Sequence, residues 1–169
     1  MVVRADAVFD ASFWIHACGV GVLKYVLRRY ALRYTPAVAR ELPERSPSGR
    51  EFRRMVQVGE LEEAVPRRDR VGIFGRGERE SISLALEHRG WVLFLDDQRP
   101  YQHAAGLGLR VVCTPLLVVA LFGERTITRR DAERHLDDLS GLETVHPDFI
   151  YLAWSLLPLF GHEMGGQPQ

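Results

Sequence analysis

The sequence predicts a three-layer α/β/α sandwich around a central, mainly parallel sheet. Residues 91–95 are a continuous apolar run, and they and residues 109–114 read as buried strands, the mark of a parallel sheet. Helical patterns separate the strand patterns, and such alternation places helices on both faces. At 169 residues the chain suits one domain with its own core.

The elements follow in order. Residues 2–9 read as the first strand. Asp10 and Ser12 then mark a helix start, because their side-chain oxygens accept from first-turn amides. Residues 13–23 are apolar with two glycines, a small close-packing helix. Alternating Tyr30, Leu32 and Tyr34 give a second short strand within 27–34. Thr35-Pro36 starts a helix with proline in its first turn, turning Val38 and Leu42 inward. Residues 43–49 are a Pro- and Ser-rich loop, and 50–58 a helical pattern with three arginines. Residues 59–70 are polar and receive no element. The clearest amphipathic helix spans 77–90: Ile82, Leu84, Ala85 and Leu86 form its apolar side and Gly90 stops it. Helices over 100–107 and 115–122 alternate with the two buried strands. Thr128 and Asp131 open a charged helix to 139, and a last helix runs from 147 to about 157. Residues 1–145 are expected to form the main domain. Residues 146–169 are expected to be a helical extension and tail, packed on that domain or on a partner.

Composition narrows the function. There are 22 basic and 22 acidic residues, which argues against a general polyanion-coating protein and leaves room for a local basic groove. Of the basic residues all but Lys24 are arginine, a bias that genome composition explains as readily as phosphate recognition. Cys18 and Cys113 lie in apolar runs without CxxC spacing and read as buried, reduced thiols. The opening residues lack signal-peptide architecture, and the apolar run 149–160 is far shorter than a bilayer span. A cytoplasmic protein without membrane contact is the expectation.

Four acids stand out. Asp10 and Asp96 each follow an apolar run, Glu41 ends a short helical pattern, and Glu78 opens one. Ligand sites in α/β sheets form at the carboxyl ends of strands. Carboxylates converging there make a hard-oxygen site suited to Mg²⁺ or Mn²⁺ and to metal-assisted phosphodiester hydrolysis. Taken singly, Asp10 is a helix cap, Glu41 a solvated helix residue, Glu78 a first-turn acid favoured by the helix dipole, and Asp96 a turn cap. Glu80 and Asp97 compete with Glu78 and Asp96. Glu78 and Glu80 are two apart on a helix and cannot face the same way; Asp97 reads as a turn residue.

Other motifs fade. Gly19-Val-Gly21-Val-Leu-Lys24 lacks P-loop spacing, and His162-Glu163 lacks the second histidine of a zinc-protease motif. Residues 72–77 read as a structural turn. The arginine pairs at 28–29, 53–54 and 129–130 and the 67–70 run read as solvated faces. Arg99, three residues after Asp96, is the arginine best placed for a substrate phosphate.

The ordered set resembles the PIN domain, a family of small metal-dependent ribonucleases that includes VapC-type toxins. Val8-Phe-Asp10-Ala-Ser12 looks like the family's opening strand with its first acid and following Ser/Thr. Glu41, after Pro36-Ala-Val, is similar to the second acid, and Gly77-Glu78 with the helix behind it to the third. Asp96, in Leu93-Phe-Leu95-Asp96-Asp97, resembles the fourth. Ala104-Ala105, Gly108, Val111 and Thr114 continue the likeness, which covers about residues 3–125. Cys113 departs from the usual glycine. The resemblance implies an Mg²⁺- or Mn²⁺-dependent endoribonuclease with RNA as substrate. Asp10 and Asp96 would be direct ligands, Glu41 and Glu78 would complete the pocket, and Ser12 would support a carboxylate or bound water. It further implies a homodimer and the setting of a toxin–antitoxin module with an antitoxin protein as partner. Against this stand a catalytically silent PIN-like module that binds RNA or protein, and a phosphatase or DNA nuclease using the same acids.

Overall fold

The computed structural model describes residues 3–160. Its strands are β1 (Ala5–Phe9), β2 (Tyr30–Tyr34), β3 (Leu61–Glu63), β4 (Val92–Phe94) and β5 (Arg110–Val112). Its α-helices are α1 (Ala11–Gly19), α2 (Leu23–Arg29), α3 (Pro36–Glu41), α4 (Pro47–Gln57), α5 (Arg76–Glu87), α6 (Gln98–Gly106), α7 (Thr114–Gly123), α8 (Arg129–Ser140) and α9 (Pro147–Leu156). The sheet order is β3-β2-β1-β4-β5, and every neighbouring pair is parallel. The expected α/β/α sandwich is the fold.

The chain moves outward from β1 to β2 and β3, then crosses back to β4 and β5 on the other side. That reversal opens a crevice between the carboxyl ends of β1 and β4, where doubly wound sheets place their ligands. The Asp10 amide donates to the Phe94 carbonyl at 3.1 Å and closes the floor of the crevice.

Side-chain alternation builds a core on each face. Ala7, Phe9, Val92 and Phe94 join Leu32 and Tyr34 under α1, α2, α4, α7 and α8. Val8, Leu93 and Leu95 point the other way, against Ile82 and Ala85 of α5 and Ala104 of α6. Phe94 anchors the larger core: it stacks on Phe13 with centroids 4.4 Å apart and meets Tyr30 edge-on at 5.1 Å. Helix α9 packs on α7 and α8 through buried Phe149 and Ala153, while Tyr151 and Leu152 face outward.

Several expectations change. The stretch 59–70 contains β3, an edge strand paired in register Leu32↔Leu61. One buried side chain, Leu61, suffices there, so its Leu-Glu-Glu sequence lacks strand character. The helix expected over 13–23 stops at Gly19; Gly21 adopts φ +78, and a separate helix, α2, runs from Leu23 to Arg29, into the stretch read as strand. Helix α4 begins at Pro47, capped by Ser46, inside the stretch read as a loop. Helix α5 is capped at His88, before Gly90. Cys113 is buried but Cys18 is partly exposed. Among the described residues no helix is long and apolar enough to cross a membrane. Val2 of the first strand, His162-Glu163 and the tail 161–169 lie outside the described residues.

Candidate active site

Asp10 leaves the end of β1 and caps α1, accepting from the Phe13 amide at 2.8 Å through Oδ1. It is 2% exposed, and Oδ2 is buried without a hydrogen-bond partner. Burial, then the neighbouring Asp96, Asp97 and Glu78 charges, hold its carboxyl well above the usual range; the Phe13 amide opposes them. An orphaned carboxylate oxygen among like charges costs stability unless a cation or proton meets it.

Asp96 follows β4 and is 1% exposed. Oδ1 accepts from the Thr114 amide and Oδ2 from the Thr114 hydroxyl, both at 2.6 Å. His16 Nδ1 also stands 2.6 Å from Oδ2, and its Nε2 lies 2.8 Å from Thr144 Oγ1. Asp97, half-buried, accepts from Ser12 Oγ at 2.9 Å and occupies the N-cap position of α6 without a side-chain cap bond. The turn role read from sequence is therefore incomplete: Asp97 faces the crevice and bears electrostatically on Asp10 and Glu78. The Ser12 hydroxyl is directed to this carboxylate rather than to Asp10 or Asp96.

Glu78 and Glu41 form the other wall. Glu78 lies in the first turn of α5, half-buried. Burial raises its pKa first; Glu41 and Asp97 add to the rise, against its own and the Gly75 amide. Exposed Glu41, the last residue of α3, accepts from the Gly77 amide at 3.0 Å and so caps α5. Glu80 turns away, accepting from the Ala37 amide at 3.1 Å and pairing with Arg76 at 2.8 Å. It ties α5 to α3. Arg99 is exposed in the first turn of α6, two residues beyond Asp97.

The structure thus gathers Asp10, Asp96, Asp97 and Glu78 around one crevice, with Glu41 joined through Glu78. Among the described residues no three His, Cys, Asp or Glu side chains stand in a ready metal-holding group. The donor chemistry nevertheless fits a hard divalent cation: every candidate is a carboxylate, and Asp10 Oδ2 is an unsatisfied acceptor. Mg²⁺ keeps several waters, so carboxylates set apart around a hydrated ion suit it. His16, Thr144 and the role of Thr114 escape a reading of local sequence: His16 lies 80 residues and Thr114 18 residues from Asp96, and Thr144 lies 128 residues from His16.

The DUF3368 family model, described as a PIN domain, matches residues 6–151. Among solved structures the chain is similar to the PIN domain endonuclease Utp24, at 12% identity over 64% of this chain and 84% of that one, with a TM-score of 0.49. It is also similar to a PilT N-terminus domain protein from the hyperthermophilic archaeon Sulfolobus solfataricus P2, at 18% identity over 64% of this chain and 86% of that one, with a TM-score of 0.40. No curated protein matches.

Proposed function

The chain belongs to the PIN-domain family, whose members are generally nucleases, and from that premise we propose that it is a metal-dependent endoribonuclease acting in the cytoplasm. The observation that carries the proposal is the buried, unpartnered Oδ2 of Asp10 beside Asp96, Asp97 and Glu78. These are the surroundings in which a carboxylate gains most from a cation.

Asp10 and Asp96 are the direct ligands in this reading, with Glu78, Glu41 and Asp97 reached directly or through water. When bound, Mg²⁺ or Mn²⁺ polarises the phosphate and lowers the pKa of an attacking water. The chain's own residues do the rest. Thr114 fixes the Asp96 carboxylate with two hydrogen bonds, and Ser12 holds Asp97. Exposed Arg99 meets a substrate phosphate at the rim. A toxin–antitoxin setting, an antitoxin protein partner and a homodimer belong to the same proposal and rest on the family likeness.

One observation favours a silent RNA- or protein-binding module instead: Glu41 is engaged as the cap of α5. A mixed RNA panel incubated with Mn²⁺, Mg²⁺ or EDTA separates the two. The expected result is cutting that needs metal and disappears in the Asp10→Asn/Asp96→Asn double variant. Folded protein that cuts no RNA under either metal, yet binds RNA in EDTA, would establish the silent module. Cutting of DNA in preference to RNA would change the substrate class, since only RNA carries the 2′-hydroxyl.

A further inference from the structure

We infer that His16 is a positioning residue for Asp96, held from behind by Thr144; the inference rests on the reading of Asp96 as a site acid. His16 is 2% exposed, and both of its ring nitrogens are engaged. It lies on α1, whose N-cap is Asp10. One short helix therefore fixes two acids: Asp10 at its cap through the Phe13 amide, and Asp96 through the imidazole of His16. The separation of the two carboxylates is set by α1 rather than by the sheet alone.

The hydrogen-bond roles are determined by the acceptor. An ionised carboxylate accepts only, so Nδ1 is the donor to Oδ2, while Nε2 bonds with the Thr144 hydroxyl. Asp96 Oδ2 then receives the His16 and Thr114 protons, and Oδ1 receives the Thr114 amide. A carboxylate offers about four acceptor positions. Three are filled, and the fourth, on Oδ1, is the one left for a cation or its water. Rotation of the His16 side chain would remove one of the three hydrogen bonds and leave the carboxylate held by Thr114 alone.

Thr144 belongs to the connection between α8 and α9. The same region is tied to the site a second time, where Gln98 Nε2 donates to Asp148 Oδ2 at 2.6 Å. Gln98 opens α6, next to Asp97. The helical C-terminal part of the chain thereby braces the crevice from below.

Side-chain geometry supplies the test. The amide nitrogen of asparagine sits near the position of Nδ1, and that of glutamine near Nε2. Mn²⁺ affinity by calorimetry, RNA cleavage and thermal melting are measured on full-length His16→Leu, His16→Asn and His16→Gln. His16→Leu is expected to lose about 10–100-fold in Mn²⁺ affinity and in kcat. His16→Asn should recover most of that loss, and His16→Gln should not. Equal behaviour of the Asn and Gln variants, or full Mn²⁺ affinity and cleavage in a folded His16→Leu, would overturn the inference and leave the nuclease reading standing. Wild-type protein that neither binds Mn²⁺ nor cuts RNA would instead overturn the nuclease reading. The His16–Asp96 bond is then read directly in ¹⁵N-histidine-labelled protein. A protected, downfield Nδ1–H signal that vanishes in Asp96→Asn supports the positioning role; its absence, or its survival in that variant, ends it.

Discussion

The Glu41 carboxylate lies across the first turn of α5, accepting the Gly77 amide at 3.0 Å in the space a side chain at residue 77 would fill. A Cβ there would stand 2.5 Å from Glu41 Oε2 and 2.8 Å from Oε1. Gly77→Ala is expected to push Glu41 aside and lower metal-dependent RNA cleavage about tenfold. The helix should survive, since alanine is the better helix former by about 1 kcal/mol. Cleavage and melting measured together check this: loss of activity with a lowered Tm would mean the fold had changed rather than the carboxylate.

Asp10 and Glu78 both titrate above their ordinary values when folded. The folded chain then holds protons that the unfolded chain releases, so stability falls as pH rises from the ordinary carboxylate range through the raised values. In EDTA, melting temperature should decline as pH rises from the ordinary carboxylate range, about 4, through the raised values of the two groups. Asp10→Asn keeps the Phe13 cap, removes one of the repelling charges and should decline less, standing a few degrees (about 2–5 °C) higher at neutral pH. It should show no metal-dependent cleavage. Equal pH slopes for the variant and the wild type would refute the account of Asp10.

Ser12 is the donor that holds Asp97 at 2.9 Å. Ser12→Ala should reduce Mn²⁺ affinity by about tenfold and cost about 1 kcal/mol or less in stability. Asp97→Asn should reduce affinity at least as much. Full affinity in Asp97→Asn would remove Asp97 from the site.

Phe94 is fully buried between Phe13 and Tyr30. Phe94→Ala should destabilise the protein by about 3–5 kcal/mol, read by urea unfolding. The residue precedes Leu95 and Asp96, so cleavage should fall with the fold.

Much of the sheet was readable because buried strands must be apolar and helices must be capped. Trp91-Val-Leu-Phe-Leu95 announces β4, and Thr128 with Asp131, which open a helix in the sequence, form a capping box in the structure. The edge strand β3 was not, because its pairing with β2 is made by backbone and only Leu61 is buried. The four acids were visible from their places after strands or at helix ends. Asp97 reads locally as a turn residue that competes with Asp96, because a turn needs only its neighbours, whereas its carboxylate is held by Ser12, 85 residues away. His16 gave no local signal at all: on an apolar helix it reads as a core residue until Asp96 is placed beside it.

The Thr144–His16–Asp96 chain also bears on the order in which a ribosome delivers the parts. Asp10, Glu41 and Glu78 emerge early, yet the imidazole that turns Asp96 meets its own support only after residue 144 has been made. For a chain with the proposed activity, a nascent or prematurely ended product that stops short of that residue carries all four acids without the brace.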